Sequence, residues 1–367
     1  MSATRAKPEP GTRGWTVREA RPQDEAVQAA IFNTCFRKDK DARTFAWKYR
    51  DNPDGPAIGR VACDAEGRVV GSYSYVPRHF LRDGAPVTLM QASDAMTVPD
   101  WQGRGIFTGL DDVVAQAAGE AGFPLCFAYS GRLSLKGFLG NGWQLIGHAP
   151  LWRRSFRSRR ALLRRGRVGP LLLPASPLLD LVAGLRDRAR LALPGGDAAL
   201  VRLQRFDERV DKLFAACAPR TGLVGVRSAR WLNWRYVDTP SRRQECWGLL
   251  RGDELRGYVV AELQEGNAFL ADHLAADEEA RAALLLGFTA LARERGQEEA
   301  SALLFAHHPA VQALGALGYR RGRTDREFRD IFPFIVRRCR ADAPETDLQM
   351  TRWHLADGDR DAEHLSP

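Results

Sequence analysis

The sequence has no stretch long and apolar enough to span a bilayer. Its longest apolar segment, Gly169 to Leu185, is broken by Pro170, Pro174, Pro177 and Asp180. The first 14 residues are polar, hold two prolines and lack the apolar centre of a signal peptide, so the expected location is the cytoplasm. Cysteine occurs six times (Cys35, Cys63, Cys126, Cys217, Cys246 and Cys339), never two within four residues. That excludes the close pairs of zinc and dithiol sites, and these residues read as reduced, small hydrophobes. The seven histidines form no HxxxH or HExxH pattern, and the adjacent pair His307-His308 has no ligand-type neighbours in the sequence, so no metal is expected. Lysine is scarce, six against 48 arginines, which we attribute to codon composition more than to guanidinium chemistry.

What is present is ordinary for a folded chain: 367 residues, 44% hydrophobic and 27% charged. This suffices for about two domains, each with its own core. The net charge of +9 is not spread over them. Residues 151 to 190 contain eleven Arg against Asp180 and Asp187, so this one segment accounts for the whole excess.

The chain also repeats itself. Trp47-Lys48-Tyr49-Arg50-Asp51-Asn52-Pro53 recurs as Trp234-Arg235-Tyr236-Val237-Asp238-Thr239-Pro240. Each copy ends an apolar helical stretch and precedes a hairpin, at Gly59 to Tyr75 and at Cys246 to Leu263. Each hairpin is followed by a strand bearing an aspartate, Asp94 in Val87 to Val98 and Asp272 in Ala268 to Leu274. A long helix, a short strand and a short helix come next, closing on Gly142-Trp143 or Gly318-Tyr319. The Trp-x-Tyr pairs read as aromatic packing of a helix on a sheet.

The copies differ between strand and long helix. The first carries Val98-Pro99-Asp100-Trp101-Gln102-Gly103-Arg104-Gly105-Ile106-Phe107-Thr108. A glycine-rich turn at a helix N-terminus offers free N–H groups and the positive end of the dipole, an anion cradle suited to a pyrophosphate. A dinucleotide fold would need an acidic residue ending the next strand, and that strand ends at Tyr129-Ser130. The second copy has Ala275-Ala276-Asp277-Glu278-Glu279, whose carboxylates satisfy the helix end themselves and repel a phosphate.

The run Val98-Pro99 followed by Gln102-Gly103-Arg104-Gly105 resembles the signature of the GNAT superfamily of acyl-CoA-dependent N-acyltransferases, with Phe107 departing from the usual small residue. The resemblance covers about residues 15 to 150, more weakly 200 to 325, and is closest to a tandem-domain bacterial branch. The ending Trp353-His354-Leu355-Ala356-Asp357-Gly358-Asp359 is similar to that branch's C-terminal strand. It implies an α/β fold: two tandem GNAT-like domains, each a mixed, mostly antiparallel sheet flanked by helices. The divisions would be a flexible tail (1–14), an acyl-CoA-binding domain (15–150), a basic, Pro/Leu-rich insertion (151–199) and a degenerate second domain (200–367). It further implies that the amides of Gly103, Arg104, Gly105, Ile106, Phe107 and Thr108, with Gln102, bind the CoA pyrophosphate. Met96, Thr97 and Val98 would pair with the pantetheine arm as an added strand, and one of their N–H groups would polarise the thioester.

Attack on a thioester needs a neutral amine and a proton for the leaving thiolate. Strand alternation puts Asp94, Met96 and Val98 on one face and Gln91, Ser93, Ala95 and Thr97 on the other. Asp94 is the candidate base. A purely structural role is the alternative, because Asp272 holds the matching place in the copy without a phosphate loop. Many members of the superfamily carry an acidic tyrosine four residues before the final Gly-aromatic pair. The corresponding residues here are Phe138 and Leu314, which cannot protonate a thiolate. Tyr129, Ser130 and Ser134 are the stand-ins, or water, and a thiol of pKa near ~8.5 can leave unaided.

The expected function is therefore transfer of an acyl group, acetyl first, from acetyl-CoA as co-substrate to a primary amine of a small molecule or of an envelope or metabolite precursor. Alternatives are aminoacyl transfer from charged tRNA to a peptidoglycan precursor and a non-catalytic CoA-binding protein. The basic segment reads as a solvated insertion, as a contact for an anionic acceptor or as a contact for an anionic membrane surface. Nucleic acid ranks last, since only Trp152 and Phe156 could stack there.

Overall fold

The computed structural model describes residues 14–157, 170–191, 198–240, 244–322 and 331–361. The tail expected at 1–14, Gly14 apart, and the arginine-rich run 158–169 lie outside the described residues.

The first repeat runs β1 (Thr16–Glu19), α1 (Glu25–Phe36), α2 (Ala42–Tyr49), β2 (Ile58–Cys63), β3 (Val69–Arg82), β4 (Ala85–Thr97), α3 (Ile106–Glu120), β5 (Leu125–Tyr129), α4 (Arg132–Leu139) and β6 (Gln144–Ser155). Helix α5 (Ser176–Leu191) and strand β7 (Ala198–Leu203) follow. The second repeat comprises α6 (Glu208–Cys217), β8 (Leu223–Gly225), α7 (Ala229–Leu232) with a π-helical turn at Asn233–Val237, β9 (Gln244–Arg251), β10 (Glu254–Gln264), β11 (Asn267–Ala275), α8 (Glu278–Glu294), β12 (Glu299–Leu303), α9 (Ala310–Ala316) and β13 (Arg320–Arg321). The chain closes with β14 (Ile331–Arg338) and β15 (Trp353–His354). Helix ends follow local chemistry. Asp41 caps α2 through Thr44 N–H, Asp277 caps α8 through Ala280 N–H, and α3 starts from Gly105 at φ 75°.

The described strands form one mixed, mostly antiparallel sheet with helices against it, in the order β1-β2-β3-β4-β5-β14-β6-β12-β11-β10-β9-β7. The order reveals an exchange. Strand β14 is inserted between β5 and β6, pairing Phe334 with Tyr129 on one side and Ile331 with Pro150 on the other. Reciprocally, β6 leaves the first repeat at about Pro150, and Leu151 to Ser155 pair with β12 of the second. Strand β13 adds to the far side of that segment. The boundary expected at 150 thus falls inside a continuous strand, and the first five residues assigned to the insertion are sheet. The segment 200–367 likewise donates a strand to the first repeat.

The core follows the exchange. Phe80 and Phe127 of the first repeat pack with Phe305, Phe334 and Trp353 from beyond it, ring centroids 5.0 to 6.1 Å apart, and Trp353 is wholly buried. The duplicated tryptophans mark a pseudo-twofold contact. Trp47 stacks on Trp234 at 4.6 Å and 19°, and each indole N–H donates to the other's backbone carbonyl, at 3.0 and 3.1 Å. They pack repeat on repeat, where the sequence pointed to helix on sheet.

Candidate functional site

Strands β4 and β5 run parallel and pair only at Met90–Cys126 and Gln91–Phe127. Beyond these residues they diverge. A β-bulge causes part of the divergence: Ser74 faces Ser93 and Ser72 faces Met96, so Asp94 and Ala95 together oppose Tyr73. Asp94 takes up the extra residue at φ 53°, a left-handed conformation uncommon for a residue with a side chain. The bulge changes the predicted alternation only for the residues before it. Met96 and Val98 share the α1–α2 side, packing near Phe32 and Phe45, and Asp94 reaches Lys48 and Tyr49 on that same side. Ala95 joins the α3 side, as predicted; Ser93, predicted opposite, shares the face of Met96.

The splay opens a cavity of about 780 Å³. Its wall includes Asp94, Met96, Thr97, Gln102, Gly103, Gly105, Ile106, Phe107, Thr108, Tyr129, Ser130 and Ser134 from the sequence-derived set. Val98 and Arg104 are outside it: the Val98 N–H is spent on Val70 O in β3, and the Arg104 guanidinium lies over the Trp101 ring at 4.4 Å. Since the N–H of Val98 points to β3, alternation turns the N–H and C=O of Thr97 to the open edge. There Thr97 O accepts from Gln102 Nε2 at 3.3 Å and from the Cys35 thiol at 3.4 Å.

At one end of the cavity lies the glycine turn. Gln102 N–H bonds to Pro99 O and Gly109 N–H to Gly105 O. Between them, the N–H groups from Gly103 to Thr108 have no backbone acceptor among the described residues. Gly103 and Gly105 have φ of 76° and 75°, which keeps this row turned toward one ligand, and nothing lies within 4 Å of where a Gly103 Cβ would be. Such a row can receive a polyanionic group. Phe107 fits because Gly137 of α4 makes room: a Cβ there would stand 2.9 Å from its ring, which packs on Phe138 at 4.9 Å and Tyr73 at 6.1 Å. In the second repeat Asp277 Oδ1 occupies the corresponding helix end by accepting from Ala280 N–H, and Asp277 is ion-paired to Arg256.

At the other end, Asp94 Oδ2 accepts from Lys48 Nζ at 2.8 Å and from Tyr49 OH at 2.5 Å. Lys48, itself buried, also pairs with Asp361 at 2.5 Å. Burial first, and then the Asp94 charge, raise the Tyr49 phenol well above its ordinary pKa, so it stays a donor. Asp272 repeats the theme in the second repeat: it accepts from Tyr236 at 3.1 Å and pairs with Arg227 at 2.8 Å. In both repeats, therefore, the tyrosine of the Trp-x-Tyr motif ties the helix to the strand aspartate. The Tyr129 ring lies 5.1 Å from that of Phe334, and burial, helped by Asp359 and Asp357, holds its phenol protonated. Ser130 Oγ is 3.2 Å from Ser134 Oγ.

Sequence reasoning missed the contribution from the C-terminal end of the chain. Phe332, Arg360 and Asp361 complete the cavity wall, and Gln91 donates to Asp359 O at 2.6 Å. Each aspartate of the tail finds a cation. Asp357 pairs with Arg360, Asp359 with Arg227 at 2.6 Å, and Asp361 with Lys48. The Asp-x-Asp-x-Asp spacing of 357, 359 and 361 was the available signal. All six cysteines are free thiols, and no metal-type cluster exists among the described residues.

A family model for an acetyltransferase (GNAT) domain matches residues 16–144. A GCN5-related N-acetyltransferase from Anabaena variabilis ATCC 29413 superposes with TM-score 0.62 at 14% identity, over 89% of this chain and 73% of that one. A probable N-acyltransferase of Enterococcus faecalis V583 does so with TM-score 0.62 at 9% identity, again over 89% and 73%. N-myristoyltransferase of Saccharomyces cerevisiae, solved with bound myristoyl-CoA, gives TM-score 0.58 at 11% identity over 88% and 78%. Identities this low speak to the fold. Comparison of the sequence with proteins of curated function gives no match.

Proposed function

We propose that this chain, whose residues 16–144 match an acetyltransferase (GNAT) domain, is an acyl-CoA-dependent N-acyltransferase, acetyl being the first acyl group to test, acting on a primary amine. The observation that carries the reading is the row of unpaired N–H groups from Gly103 to Thr108 opening into the cavity between the splayed strands.

A bound acyl-CoA supplies a thioester carbonyl as electrophile. The amides of residues 103–108 hold its pyrophosphate at the start of α3, and Thr97 on the open edge of β4 pairs with the pantetheine arm. A main-chain N–H of the same edge polarises the carbonyl. Asp94 has a positioning role: it fixes the bulge that keeps β4 and β5 apart, itself held by Lys48 and Tyr49. The acceptor amine enters from the end walled by Phe332, Arg360 and Asp361, so the C-terminal end of the chain serves the first repeat as part of its acceptor side. Nitrogen attacks the carbonyl carbon and the C–S bond breaks. The amine gives up one proton and the thiolate takes one. Asp361 and Asp94 lie at the amine end; Tyr129, Ser130 and Ser134 lie where β5 ends, within reach of water relay to the sulfur.

Calorimetric titration with acetyl-CoA, run beside Gly105→Glu, tests this reading. Micromolar binding is expected for the native chain and none for the variant, whose carboxylate would occupy the cradle; a thermal melt checks that the variant folds. Thiol release with a panel of amines follows. No binding by the native chain overturns the acyl-CoA reading. Binding with no thiol release on any amine leaves a CoA-binding protein that does no chemistry.

A further inference from the structure

Helix α5 is amphipathic in the inverted sense. It lies against α8, and its buried or half-buried residues are small or polar: Ser176, Asp180, Ala183 and Gly184. Its large apolar residues are mostly turned to solvent, with Leu181 and Leu185 also edging a groove beside Ala290 and Arg293 of α8. Leu178, Leu181, Val182 and Leu185 are 62%, 59%, 55% and 53% exposed, and their spacing of i, i+3, i+4 and i+7 makes them one stripe. Leu179 flanks it. Of the seven large apolar side chains exposed among the described residues, five are on this helix, so the patch is concentrated rather than scattered.

Charge decides what covers it. Arg157 and Arg186 border the helix, both exposed, and the segment 151–190 carries a net +9 by sequence. A second copy placed face to face would bring Arg157 and Arg186 against the same two cations of its partner. An anionic lipid surface offers both an apolar layer for the stripe and counter-charge for the arginines. No helix among the described residues is long and apolar enough to cross a membrane, so the contact would lie in the interface plane. We propose that α5 docks this protein on anionic membranes, leucine stripe inward and arginines at the headgroups.

The test uses the full chain and flotation with vesicles of phosphatidylcholine alone and of equimolar phosphatidylcholine and phosphatidylglycerol. The native chain should float with the anionic vesicles, at least tenfold more than with neutral ones, and molar salt should weaken binding. Replacing Leu178, Leu181, Val182 and Leu185 together by serine should cut binding at least tenfold while leaving the thermal melt unchanged, since all four are exposed. A Leu181→Trp reporter should shift its emission to the blue on anionic vesicles. Absence of flotation overturns the proposal, as does full binding by the serine variant. Concentration-dependent self-association without lipid, lost in that variant, overturns it in favour of a second copy.

Discussion

Lys48 is the residue on which the acceptor end of the cavity turns, because a single buried ammonium bridges Asp94 from the first repeat and Asp361 from the tail. Removing it leaves two neighbouring carboxylates without the cation between them. Lys48→Met should therefore cost about 3–5 kcal/mol in urea denaturation, and Asp94→Asn added to it should recover part of that loss. His273 makes a different prediction. Burial, with Arg281 and Arg227 nearby, pushes its pKa down to about 3, so the folded chain keeps it neutral. The unfolded residue takes up a proton below about pH 6.5. Stability from this group is complete above that pH and declines as pH falls toward 3, by about 1.4 kcal/mol per unit. His308, whose ring is 5.1 Å away and which burial depresses too, adds to the slope. His273→Leu should gain about 2–3 kcal/mol relative to the native chain between pH 7 and pH 4.5, measured by denaturant titration at both.

At the level of elements, α3 and α4 are matched by one glycine. A methyl group at Gly137 presses on Phe107, whose own N–H belongs to the anion row. Gly137→Ala should cost about 1–3 kcal/mol of stability by overpacking and weaken acetyl-CoA binding. Phe107→Leu in the same chain should restore part of both, read by thermal melts and calorimetry. The glycine turn, both aspartate-bearing strands and the repeat order were legible in the sequence, because each rests on local chemistry or on periodicity. The bulge at Asp94 was not. An inserted residue leaves the composition of a strand intact and reverses the faces on one side of it relative to the other, which is why Ser93 shares the face of Met96, opposite to the one alternation assigned it. The exchange of β6 and β14 escaped as well, since both strands read as the same kind of apolar run whichever repeat they join. Arg360 and Asp361 were hidden for a further reason: they reach the cavity only through a tail anchored by ion pairs more than a hundred residues away in sequence.

For the molecule as a whole, the exchange means that neither repeat closes alone. Unfolding should be one transition, with calorimetric and van't Hoff enthalpies agreeing, where independent tandem domains would give two. A fragment ending at residue 157 should lack a cooperative transition, and one ending at residue 322 should lose acetyl-CoA binding with the support of β14. Two resolved transitions, or a stable 1–157 fragment, would contradict the shared sheet. The same exchange bears on how the chain is made. When β5 and β6 leave the ribosome, the strand that fits between them lies almost two hundred residues downstream. At cellular synthesis rates that is a wait of roughly 10–40 s with facing edges unpaired. Chaperone demand and aggregation during expression should therefore peak in that interval, set by the chain's own order of synthesis.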